Sequence, residues 1–176
     1  MTMHNNPHPI LETPRLTLRA LRNSDAGLTS LYTSDLRVAR MTSRIPHPNP
    51  PGAVEAFIAH ANAPTTQETT WAIDASKGFG TELVGVISID DDGDIGYWVA
   101  PFFWGLGLAS EALDAVVAFA ADTGVDRLGA WAFMDNPASQ RVLEKGGFCR
   151  AGTGTVFSVA RKENCDAVRF EWRGVE

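Results

Sequence analysis

The 176 residues are 44% hydrophobic and 20% charged, which suits one domain with a sizeable core and excludes a disordered chain. A formal charge of −6 argues against a general nucleic-acid binder, which needs a basic face. Cys149 and Cys165 make neither a disulfide framework nor a CxxC pair, and His4, His8, His47 and His60 have no metal-ligand spacing. The N-terminus has no charged-then-apolar leader, and no apolar run nears the roughly 18 residues of a bilayer span. The expectation is a reduced, cytoplasmic protein with no metal site and neither nucleic acid nor membrane as partner.

In chain order, residues 1–10 read as a flexible tail ahead of a single domain over 11–176. Residues 15–20 alternate strictly, with Leu16, Leu18 and Ala20 on one face, and predict a strand. Asn23-Ser24-Asp25 caps a helix through Leu28, Leu31 and Tyr32, and a second helical piece follows over 36–41. The four prolines of 45–51 remove donors and fix φ, so regular structure resumes only with a helix that aligns Val54, Phe57, Ile58 and Ala61. Residues 69–75, 82–90 and 94–100 predict strands, with a turn at 77–80 and a hairpin across Asp91-Asp92-Gly93. A helix from about 107 to 122 carries Leu113, Val116, Val117 and Ala120 on one stripe and stops at Gly124. A strand over 127–134 follows, and Asn136-Pro137 then opens a helix through Val142 and Leu143 that ends at Gly146-Gly147. Two last strands, about 148–159 and 167–172, flank a polar turn at 161–164. The order describes an α/β chain with a mixed sheet and helices on its faces.

Two glycines, Gly105 and Gly107, sit between a strand and the long helix, where backbone without Cβ lets a ligand approach the helix's free N–H groups. A phosphate suits that turn, because the donors and the helix dipole both favour an anion. A dinucleotide fingerprint does not fit: Ser110 replaces the third glycine, and five residues separate the strand from Gly105. The Asp90–Asp94 cluster fails as a calcium loop, since Val99 falls where a bidentate Glu is required. It reads as a hairpin turn, and Asp94 is the member that enters the strand. Asn136 reads as a helix cap and Ser139 as a helical serine one turn on; both follow the strand after the glycine turn.

The order of elements, Gly105-Leu-Gly107-Leu-Ala109 and Asn136-Pro-Ala-Ser-Gln-Arg-Val-Leu-Glu-Lys-Gly-Gly-Phe148 together resemble the GNAT N-acetyltransferases. Leu11-Glu-Thr-Pro-Arg-Leu-Thr-Leu-Arg19 and Asp94-Ile-Gly-Tyr-Trp-Val99 look like the RimJ/RimL-like branch, so the likeness spans about 11–172. It implies a mostly antiparallel mixed sheet of about seven strands, about four flanking helices, and a splay in the sheet at the acetyl-CoA site. It also implies acetyl-CoA as co-substrate, and transfer to a primary amine, of a protein N-terminus or a small molecule, by direct attack on the thioester. The superfamily pattern Gln/Arg-x-x-Gly-x-Gly/Ala aligns with Trp104, Gly105, Leu106, Gly107, Leu108 and Ala109. Trp104 removes one charged contact, leaving the backbone N–H groups up to Ser110 to hold the pyrophosphate. The resemblance further places backbone groups near Trp98 and Val99 against the pantetheine arm, bonds Asn136 to it, and sets Ser139 near the sulfur.

Within that reading a backbone N–H near Val99 stabilises the oxyanion. Ser139 or Tyr97 protonates the leaving thiolate, and Asp94 is the candidate base. Phe157-Ser158 stands where some ribosomal acetyltransferases carry an acidic residue, which argues against ribosomal-protein substrates. Phe57, Trp71 and Trp131 stand as core residues or as pocket lining. A homodimer is expected at family level only, and the competing reading is a non-catalytic acyl-CoA-binding module on the same fold.

Overall fold

Alternation along β2 (Thr17–Arg19) drives Leu18 into the core, with Leu16 just ahead of it, while Arg19 is carried to the opposite face. The computed structural model describes residues 8–174. The strands β1 (Leu11–Glu12), β2, β3 (Thr69–Ala75), β4 (Thr81–Ile89), β5 (Asp94–Val99), β6 (Arg127–Phe133), β7 (Cys149–Ser158) and β8 (Glu163–Arg173) form one sheet. Its order is β1-β2-β3-β4-β5-β6-β8-β7, antiparallel throughout except between β5 and β6. The mixed, mostly antiparallel sheet is thus as expected, with eight strands in place of about seven because Leu11 and Glu12 pair with Leu18 and Thr17.

Helices α1 (Ala26–Thr33), α3 (Ala53–Ala61), α5 (Leu108–Asp122) and α6 (Pro137–Lys145) are the four long ones expected. The short α2 (Leu36–Ala39) ends before Met41, and α4 (Ser76–Phe79) replaces the turn expected at 77–80. The Asp74 carboxylate starts α4 by accepting the Ser76 N–H and hydroxyl at 2.9 and 2.6 Å. Strand β8 begins at Glu163, ahead of the expected 167, because Lys162 at φ 58° closes a tight loop that pairs Ser158 with Glu163. Of the expected tail, residues 1–7 lie outside the described residues, while the Pro9 carbonyl accepts the Trp71 indole N–H at 2.9 Å.

The two faces of the sheet are covered by different helices. Leu108, Ala112, Leu113, Val116 and Ala120 of α5 pack with Ile95, Val99, Leu128 and Ala130 on one face. Val54, Ile58 and Ala61 of α3 cover Leu21, Ala72, Leu83 and Val86 on the other, and Phe57 turns outward from that stripe. Each buried aliphatic side chain contributes about 1.5–3 kcal/mol.

One polar cluster fastens β2, β3 and the start of α1. Arg19, 4% exposed, reaches Asp74 at 2.7 Å and both Asp25 oxygens at 2.9 Å. Burial alone would raise the Asp74 carboxyl, but hydrogen bonds from Ser76 and Arg19 hold it below its ordinary range. Its contribution is therefore present above about pH 4 and lost as pH falls through the lowered folded-state value. Arg19→Met should cost about 3–5 kcal/mol in urea unfolding at neutral pH, since two buried carboxylates lose their cation. A loss below about 1 kcal/mol would contradict the role given to this cluster.

Candidate functional site

Strands β5 and β6 pair only at Asp94↔Gly129 and Ile95↔Ala130, then part. On its other edge β5 stays paired with β4 as far as Val99↔Gly85. Gly85 is required there because a Cβ would overlap the Trp98 carbonyl. The Ala100 N–H donates to the Val84 carbonyl at 2.8 Å and the Gly129 N–H to the Gly93 carbonyl at 3.0 Å. Even-numbered residues of β5 therefore turn their backbone groups to β4, and odd-numbered ones face the gap. Tyr97 and Val99 are the gap-facing residues; Trp98, expected to share that role, directs its backbone to β4. The Val99 carbonyl accepts the Trp104 indole N–H at 2.6 Å, which leaves the Val99 N–H turned into the gap.

The gap opens onto the glycine turn. Gly105 and Gly107 have φ of 74° and 77°, a region where any other residue is strained. Gly107 is the N-cap of α5 and its carbonyl accepts the Glu111 N–H at 3.0 Å, while the first N–H groups of the helix, at Leu108, Ala109 and Ser110, lack helical partners. Arg15 locks the turn from behind: it donates to the Leu106 carbonyl at 2.9 Å and to Glu111 at 2.6 Å. The Thr13 hydroxyl and the Arg15 N–H bond the second Glu111 oxygen at 2.6 and 2.8 Å. Nothing local in the sequence marks this clamp, whose partners lie 96 positions apart.

Across the gap, the Asn136 side chain accepts the Ser139 N–H at 3.2 Å and caps α6. The hydroxyls of Ser139 and Tyr97 lie 2.8 Å apart. Burial pushes the Tyr97 phenol up to about 12, against the opposing pull of the Ser139 bond, so Tyr97 keeps its proton at neutral pH. Asp94 is on the opposite face of β5 from Tyr97, by strand alternation. One of its oxygens pairs with Arg169 at 2.6 Å and the other is buried without a partner. The structure thus brings Tyr97 and Ser139 together and leaves Asp94 apart from them, one oxygen paired with Arg169 and the other buried. Asp90 lines the same cavity; burial raises its carboxyl against the opposing bonds from the Asp94 and Asp92 N–H groups at 2.8 and 3.1 Å, and among the described residues it makes no ion pair.

The gap and turn belong to one cavity of about 1140 Å³, above the roughly 300–1,000 Å³ of ordinary small-ligand pockets and roomy enough for two substrates. Its far wall includes Phe57, Trp98 and Trp131, whereas Trp71 is fully buried core. Ser158 is fully buried and its hydroxyl accepts the Arg161 N–H at 3.2 Å, while Phe157 is exposed. Among the described residues no helix is long and apolar enough to cross a membrane, and no cluster of three His, Cys, Asp or Glu could hold a metal. The features present fit the nucleotide thioester that the sequence implies: backbone donors without Cβ for its diphosphate, and an unpaired strand edge for its amide-bearing arm.

The family described as acetyltransferase (GNAT) domain matches residues 15–149. The Bacillus subtilis (strain 168) protein described as uncharacterized N-acetyltransferase YoaA is 32% identical over 152 residues, covering 82% of this chain and 85% of that one. A GNAT-family acetyltransferase from Bacillus anthracis superposes with a TM-score of 0.79 at 21% identity, over 94% of this chain and 98% of that one. The microcin C7 self-immunity acetyltransferase MccE, in complex with acetyl-CoA and AMP, superposes with a TM-score of 0.77 at 19% identity, over 92% and 94%.

Gly129 is the floor beneath the Asp94–Arg169 pair, where a Cβ would overlap both side chains. Gly129→Ala should displace that pair and lower stability by about 1–3 kcal/mol in denaturant unfolding. Unchanged stability would show that the pair has room to shift.

Proposed function

The chain belongs to the GNAT acetyltransferase family, and we propose that it transfers an acetyl group from acetyl-CoA to a primary amine. The observation that carries this reading is the splay beside β5, whose free backbone edge at Tyr97 and Val99 leads directly to the glycine turn. The N–H groups of residues 105–110 hold the diphosphate, and the gap-facing backbone of Tyr97 and Val99, with Asn136 opposite, holds the pantetheine arm. Bound acetyl-CoA supplies an acetyl thioester, the electrophile that a neutral amine attacks with release of CoA.

The chain's own groups then divide the work. The Val99 N–H is the donor that β5 offers to an oxygen in the gap, fixed in place before reaction. The Ser139 hydroxyl, backed by the protonated Tyr97 phenol 2.8 Å away, holds the proton given to the leaving sulfur. The incoming ammonium must lose a proton. We assign that proton to Asp90 in preference to Asp94, because the Asp94 oxygens are committed or buried. Phe57, Trp98 and Trp131 give the acceptor an aromatic surface, suited to a small molecule or a peptide end bearing the amine.

Continuous measurement of free CoA with a panel of amines tests the reading. Ser139→Ala should lower kcat about 100-fold while acetyl-CoA affinity stays within about twofold. Asp90→Asn should remove the acid limb of the pH–rate profile, and Asp94→Asn should leave that limb in place. Full turnover in Ser139→Ala would contradict the proton relay. Binding of acetyl-CoA without CoA release from any amine would contradict catalysis and favour a binding module.

A further inference from the structure

Among the described residues four carboxylates line the cavity, those of Glu68, Asp90, Asp94 and Asp135, and all but one are neutralised from within the protein. Glu68 is held by Arg44 at 2.8 Å, Asp94 by Arg169 at 2.6 Å and Asp135 by Arg161 at 2.9 Å. Asp90 makes no ion pair among the described residues. Arg44 and Arg169, which feel its charge, are each already bonded to another carboxylate. Arg141 and Lys145 of α6 also line the cavity and add positive charge to its wall. One carboxylate is therefore left for a cationic ligand.

The aromatic lining is committed in the same way. Guanidinium groups lie over three of its rings, Arg169 over Trp131 at 5.5 Å, Arg161 over Phe133 at 4.8 Å and Arg37 over Trp104 at 6.0 Å. A ring attracts a cation through its π face, so these rings offer a further ammonium less and lose nothing as apolar surface. Trp131 is also held in place. A Cβ at Gly154 would sit 3.1 Å from its indole, and the guanidinium above it is anchored by Asp94. Trp131 is 41% exposed and Phe57 36%, and both line the cavity.

We infer that the acceptor is a monoamine on an apolar, arylalkyl body, and not a polycation such as a polyamine or an aminoglycoside. The inference rests on the acetyl-transfer reading above, with Asp90 as proton acceptor, and names the substrate class of that site. The single ammonium meets Asp90, where its nitrogen sheds the proton it must lose, and the body lies against Trp131 and Phe57. A second ammonium would leave water for a wall whose other carboxylates are taken, and the rings would not offset that cost.

The test is kcat/KM from CoA release with phenethylamine, ethylamine, putrescine, spermidine and a short peptide with a free N-terminus. Phenethylamine should exceed putrescine and spermidine about 100-fold. Trp131→Ala should raise the phenethylamine KM about tenfold and leave kcat and the ethylamine KM within about twofold. Arg44→Gln frees Glu68 as a second carboxylate; it should raise kcat/KM for putrescine about tenfold and leave phenethylamine within about twofold. Turnover of spermidine or putrescine equal to that of phenethylamine would overturn the class. So would turnover confined to the peptide, or no gain for putrescine in Arg44→Gln. Binding of acetyl-CoA with no CoA release from any of these amines would remove the acetyl-transfer reading itself, and the class with it.

Discussion

The two-residue pairing between β5 and β6 is the constraint on which the site depends. A parallel pair that continued along β5 would consume the Tyr97 and Val99 backbone groups in ladder hydrogen bonds. Because it stops at Ile95↔Ala130, an edge is left inside the molecule, where backbone donors and acceptors call for a partner. The crossover from β5 to β6 runs through α5, and the glycine turn that starts α5 presents helix N–H groups beside the opening. Gly85 lets β4 press close to β5, so the free edge belongs to a well-held strand.

Electrostatics follows the same division. The carboxylates beside the gap are mostly tied: Glu111 to Arg15, Asp94 to Arg169, Glu68 to Arg44 and Asp135 to Arg161. These pairs fix the turn, the base of β5 and the far rim, and being partly exposed most contribute geometry more than stability. Against that neutralised background the uncommitted groups stand out. They are Asp90 at the start of the β4–β5 turn, which makes no ion pair among the described residues, and the Tyr97–Ser139 hydroxyl pair beside the gap.

Much of this was legible in the sequence. Strict alternation at Leu16 and Leu18, the Asn136-Pro137 helix entry and the hairpin at Gly93 each follow from local chemistry, and each is present in the structure. Tyr97 and Ser139 were each singled out through the family resemblance as alternative proton donors, and their hydroxyls lie 2.8 Å apart. What was not legible is register and long-range charge pairing. Whether Trp98 or Val99 faces the gap depends on which residues of β5 bond to β4, a parity that the apolar pattern leaves open. The Arg15–Glu111 clamp and the Asp94–Arg169 pair join residues 96 and 75 positions apart, and a single chain carries no local sign of either. Likewise α4 depends on an Asp74 side chain whose direction is fixed by Arg19 from another strand.

The most direct measurement of the central claim is amide hydrogen exchange at single-residue resolution, with and without acetyl-CoA. If the splay holds the cofactor, slowing of exchange should concentrate at the gap-facing Tyr97 and Val99 amides and across residues 105–110. Trp98, whose amide already bonds to β4, should change little. Slowing confined to other parts of the sheet, or none at saturating acetyl-CoA, would contradict the assignment of this gap as the acetyl-CoA site.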